Sequence, residues 1–189
     1  SGYYPADSIV VTVPPPVTDL HVGLTPLPPP PDDVPPTTTL TIGDPKYIDP
    51  SGNVYVNSDT PFTLSAEDNL GGTGVESTFY RIYNGTYDTG WIAYSAPFHL
   101  IDLTDDEYTI EYYSNDNVGN IEETNTATVI LDNTPPATSL TIGEPKIIYI
   151  GNVYVNSSTP FTLTATDNPE GCGVAITTYK ICNATYDSG

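Results

Sequence analysis

The sequence predicts an all-β protein assembled from antiparallel β-sandwich units, and three observations lead there. First, one unit of about a hundred residues is used twice: "PPTTTLTIGDPK" returns as "PPATSLTIGEPK", "NVYVNSDTPFTL" returns as "NVYVNSSTPFTL", and "GGTGV" returns as "EGCGV". Second, within the unit short runs rich in Thr, Val, Ile, Tyr and Phe alternate with Gly, Pro, Asn and Asp, the pattern of strands separated by turns. Third, no apolar period of roughly 3.6 residues continues for three turns, so no amphipathic helix is predicted.

In chain order the elements are as follows. Residues 1–13 form an N-terminal segment whose core is the β-branched run Ser8, Ile9, Val10, Val11, Thr12, Val13, which has strand propensity but no local partner. Residues 14–34 are a proline-rich linker, because proline fixes φ and removes backbone donors and so favours extended polyproline II. Residues 35–134 are a complete unit with expected strands at "TTTLTI", "NVYVN", "FTLSA", "STFYRIYN", "WIAYS", "FHLI", "EYTIEYYS" and "TATVIL". Tyr108, Ile110 and Tyr112 alternate with Thr109, Glu111 and Tyr113, the period-2 pattern of a strand with one inward face. That many strands at this spacing argue for a sandwich of the immunoglobulin-like kind, although its Cys…Trp…Cys pattern is absent. Residues 135–189 begin a second unit that, if the chain ends at Gly189, lacks everything equivalent to residues 91–131.

Charge excludes whole classes of partner. Four Lys and Arg against 24 Asp and Glu give a net charge of −20, which repels nucleic acid and anionic membrane surfaces. No apolar run approaches the roughly 20 residues of a membrane helix. The chain contains no Met, which fits either removal of a leader or a partial sequence.

The candidate chemistry is sparse. Sequons stand at Asn84, Asn156 and Asn183, with Asn84 and Asn183 at equivalent positions of the two copies, so covalent glycans are expected. Cys172 and Cys182 replace Thr73 and Tyr83 of the first copy, and their separation suits a disulfide across a short hairpin in an oxidising compartment; two buried thiols are the alternative. Acidic clusters containing Asp68, Asp116 and Asp167 offer hard oxygen ligands for Ca²⁺, and equally the ordinary chemistry of Asx-turns. His21 and His99 are the only histidines, and no catalytic motif accompanies them, so no enzyme activity and no catalytic residue is expected. The fifteen tyrosines suit strand packing, with stacking on sugar rings as the alternative.

The strings "DNTPPATSLTIGEPK", "STPFTLTATDNPEGCGVAITTYKI", "APFHL" and "EYTIEYYSNDNVGNIEE" resemble the tandem immunoglobulin-like, adhesin-like repeats of archaeal and bacterial surface proteins. The resemblance covers residues 35–189 and implies an extracellular, structural role. An incomplete sandwich exposes an apolar face and an open edge that something must cover. The expectation is a filament in which residues 8–13 of one copy pair into the second unit of the next, a head-to-tail homopolymer with neighbouring filaments or surface glycans as further partners. Two alternatives stand beside it: a fragment of a longer tandem-repeat adhesin or surface-layer protein, and a carbohydrate-binding accessory region of a secreted hydrolase.

Overall fold

Alternation of apolar and polar side chains builds strands throughout the computed structural model, which describes residues 31–183 and 185. The expected donor strand at residues 8–13, most of the proline linker and His21 lie outside the described residues. Every regular element among the described residues is a β-strand, and the described residues from Asp32 onward belong to one unit.

The first repeat contributes β1 (Thr37–Ile42), β2 (Lys46–Ile48), β3 (Val54–Val56), β4 (Phe62–Glu67), β5 (Val75–Tyr83), β6 (Ile92–Ala93), β7 (Asp106–Asp116) and β8 (Asn125–Leu131). A two-stranded sheet, β1–β4, faces a six-stranded one in the order β2-β3-β8-β7-β5-β6, an arrangement consistent with a β-sandwich. Register Leu40↔Leu64 and Ile42↔Phe62 places apolar residues on one face of the small sheet. On the large sheet, Tyr108 and Ile110 of β7 and Val129 and Leu131 of β8 turn inward, with Thr109, Glu111 and Tyr113 outward, as the alternation predicts. These residues close a core with Val56, Phe62, Leu64, Ile82, Phe98 and Leu100. Phe98 stacks between Phe62 (5.3 Å) and Tyr80 (4.0 Å). Fully burying one such side chain stabilises the fold by about 1.5–3 kcal/mol.

The structure departs from the sequence expectation in three places. The β2 strand arises from "KYI", too short for its pattern to announce it. The expected strand "FHLI" is a single bridge, Phe98 exchanging both backbone hydrogen bonds with Phe62 (2.8 and 3.0 Å), while His99 points out to solvent. The sandwich is not wholly antiparallel, because β3 pairs parallel to β8 through Tyr55↔Ile130 and Val56↔Leu131. The β2–β3 hairpin turns β3 to run the same way as the last strand, so the two meet without a tight turn between them. Trp91 lies beside the edge strand β6, 43% exposed, with its ring edge-on to Tyr113.

The second repeat contributes β9 (Ala137–Ile142), β10 (Lys146–Tyr149), β11 (Asn152–Val155) and β12 (Phe161–Thr166). Its hairpins repeat the registers of the first: Leu140↔Leu163 and Ile142↔Phe161 in β9–β12, Ile147↔Tyr154 in β10–β11. Thr159 tucks its hydroxyl onto the Pro145 carbonyl (2.5 Å) as Thr60 does onto that of Pro45. Residues 174–181, the counterpart of β5, hold no strand. In the first repeat β5 is held by β7, and no counterpart of β7 is present among the described residues.

Candidate functional site

Among the described residues, the face of the second repeat that corresponds to the core of the first is exposed. Phe62 is 0% exposed and Val56 3%, whereas their counterparts Phe161 and Val155 are 55% and 44% exposed. Tyr179, Ile181 and Leu140, the counterparts of Tyr80, Ile82 and Leu40, are also exposed. The positions are apolar because the pattern of the repeat demands inward-facing residues. They are wet because Phe98, Leu100, Tyr108, Ile110, Val129 and Leu131, which cover them in the first repeat, have no counterpart among the described residues.

A second feature is the joint between repeats. Beyond β8 the chain passes through Asp132, Asn133 and Thr134 to Pro135 and Pro136. Asp132 donates its N–H to the Val56 carbonyl (2.9 Å), and its carboxylate accepts the N–H of Cys172 from the second repeat (2.8 Å). The side chain of Asn133 accepts the N–H of Ser58 (2.9 Å). Asp105 accepts the Asn133 N–H (2.8 Å) and the Thr134 hydroxyl (2.5 Å). Burial pushes the Asp105 carboxyl up, but these bonds outweigh it and hold the group below its ordinary value. A cleft of about 490 Å³ between Asn57–Asp59, the linker and the Cys172 turn marks the junction.

Carboxylates converge at the corresponding end of each repeat. Oxygens of Asp32, Asp68 and Asp116 lie within 4.8 Å of one another, as do ligand atoms of Asp132, Asp167 and Cys172. Asp68 and Asp116 are therefore brought together, while Asp167, the counterpart of Asp68, belongs to the other cluster. Asp116 is fully buried; that burial would raise its pKa, but hydrogen bonds from Asn120 and from the Val118 and Gly119 backbone lower it below the ordinary value. Asp32 accepts the N–H and hydroxyl of Thr73 (2.8 and 3.0 Å), and Asp68 accepts the Gly74 N–H (2.6 Å). These bonds are those of turn-capping carboxylates, and the hard oxygen donors could also hold a divalent cation. Asp32 and Asp132 were missed in the sequence, although "DDVPP" and "DNTPP" place an aspartate at the same distance before both proline pairs.

The three sequons share one geometry. Asn84 accepts the N–H and hydroxyl of Thr86, Asn156 those of Ser158, and Asn183 those of Thr185. Asn84 also donates its amide to Asp106 (3.0 Å). The disulfide expected between Cys172 and Cys182 is not formed: both are exposed free thiols. The Cys172 turn is tied to Asp132 of the linker, and partial desolvation by the neighbouring groups, a bond to Asp132 and the charges of Asp132 and Asp167 push its thiol pKa up, which disfavours the reactive thiolate. Tyr112 packs against the core, and Tyr113 stacks on Phe79 outside (5.3 Å), so both tyrosines of that pair serve strand packing.

No helix among the described residues is long and apolar enough to cross a membrane. No family model, curated protein or solved structure matches the chain.

Proposed function

We propose that this is an extracellular structural protein with immunoglobulin-like modules, the subunit of a surface filament assembled head to tail by β-strand complementation between copies. The carrying observation is the open apolar face of the second repeat, where Phe161, Val155 and Ile181 stand at positions that the first repeat buries. An exposed apolar face with an unpaired strand edge is an acceptor for an added strand. Residues 8–13, Ser8 through Val13, have the β-branched composition of such a strand, and residues 8–18 contain no acid, which matters in a chain of net charge −20. Glycans at Asn84 and Asn183 belong to the same extracellular reading.

A second reading has the covering strands follow in the same polypeptide, as the direct passage from β8 through the linker into β9 joins the two repeats here. Mixing intact chains with chains lacking residues 1–13, followed by negative-stain microscopy, separates the two. Filaments from intact chains and none from shortened ones are expected. Unchanged polymerisation by the shortened form would remove the donor-strand proposal. Intact mass of native material tests the second reading, since polypeptide mass well above 20.3 kDa supports it.

A further inference from the structure

We infer that the second repeat of one copy seats the Asp32 and Thr73 end of the next copy's first repeat, reproducing between chains the joint that links the two repeats within a chain. The inference rests on the filament reading above and specifies its contact.

The within-chain joint has two sides. One is the Val56 carbonyl and Ser58 N–H of the first repeat, which hold Asp132 and Asn133; the other is the Cys172 turn of the second, whose N–H is taken by Asp132. Both sides recur at opposite ends of the described residues. Thr73, the counterpart of Cys172, already donates to Asp32, the counterpart of Asp132, at 2.8 Å. Val155 and Ser157, the counterparts of Val56 and Ser58, are exposed. The joint is completed when the Asp32 N–H of the next copy reaches the Val155 carbonyl and its Asp33 carboxylate accepts the Ser157 N–H.

Charge points to the same surface. Between Glu144 and Asp167 the second repeat has no acidic residue, whereas the corresponding stretch of the first carries Asp49, Asp59 and Glu67. Copies with a net charge of −20 repel one another, so contact is favoured where the acids have been lost. The β10–β11 turn shows the exchange at close range. Asp49 caps the first repeat's turn by accepting the N–H groups of Ser51 and Asn53 (both 2.8 Å). The second repeat has Tyr149 and Ile150 there, with Ile150 held at φ 49°, a conformation that a β-branched residue adopts only at a cost.

The apolar side chains beside this turn have a visible neighbour in the first repeat: Tyr47 and Tyr55 line a cleft of about 230 Å³ that Cys172 borders from the second repeat. Tyr47 keeps 49% of its surface exposed there, against 69% for Ile147, so this neighbour covers the position in part. Ile147 and Tyr154 occupy the matching positions, and Thr73 of the next copy is the matching neighbour. Asn156, the counterpart of the cleft residue Asn57, then lies inside the joint and carries no glycan in the filament.

The test uses full chains carrying Cys172→Thr and Cys182→Tyr, with Asp33→Cys in one preparation and Ser157→Cys in another. Both added positions are exposed, so neither touches the core. On mixing and oxidation, a disulfide-linked dimer at least tenfold above that of either preparation alone is expected. Filaments that form without this cross-link overturn the joint and leave strand complementation standing. Failure of the unmutated chain to assemble overturns the filament reading and the joint with it.

Discussion

Phe62 and Phe161 occupy the same position in the two repeats, and truncating each to alanine separates a covered face from an open one. Phe62 is fully buried and stacked on Phe98 with an interplanar angle of 13°, so Phe62→Ala removes a complete aromatic contact from a closed core. A change of this kind costs about 3–5 kcal/mol. Phe161 is 55% exposed, and Phe161→Ala in the dilute, unassembled chain should fall within about 0.5 kcal/mol, as surface substitutions do. Trp91, the only tryptophan, packs on Tyr113 in the first repeat, so its fluorescence during urea unfolding reports the Phe62 variant directly. Assembly inverts the order. If the face around Phe161 is covered as that around Phe62 is, its loss removes about 3 kcal/mol per contact, which raises the critical concentration for filament formation about a hundredfold. The assay is sedimentation of filaments across a concentration series. An unchanged critical concentration for Phe161→Ala would refute the covered-face reasoning. A loss of several kcal/mol in the dilute chain would refute the description of Phe161 as exposed.

Two further outcomes test the fold beneath this argument. At Gly43 an added Cβ would meet the Pro61 ring at 2.6 Å, and at Gly143 the Pro160 ring at 2.6 Å; the rings cannot swing aside, so Gly43→Ala should cost about 1–3 kcal/mol and lower Tm by several degrees in a thermal melt. Arg81 grips Asp88 through two hydrogen bonds of 2.8 and 2.6 Å and holds its carboxyl at about 2, below the ordinary 3.8. A folded pKa below the unfolded one gives stability that is present above pH 3.8 and lost as pH falls through about 2, so the Tm gap between the wild type and Asp88→Asn should close across that window. A gap that widens on acidification would contradict the assignment.

The donor and acceptor roles proposed for this chain depend on features of very different legibility. Strands β1, β3, β4, β5, β7 and β8 could be read from the sequence, because the inward and outward faces of a strand are written by residues two apart. Tyr108 and Ile110 against Thr109 and Glu111 are an example. The repeat itself, and with it the equivalence of Phe161 and Phe62, also needed no coordinates. Asp32 meeting Asp68 and Asp116 was not legible, since those residues are brought together by loops whose paths no local pattern encodes. The same holds for the parallel pairing of β3 with β8, the bridge that replaces a strand at Phe98, and the Cys172 turn held by Asp132 instead of by Cys182. The sequence by itself determined the all-β character, the repetition and the side of each strand that seeks a core, because burial preference acts residue by residue. Only the tertiary structure decided which strands pair and which carboxylates converge, because each depends on contacts between residues far apart in the chain.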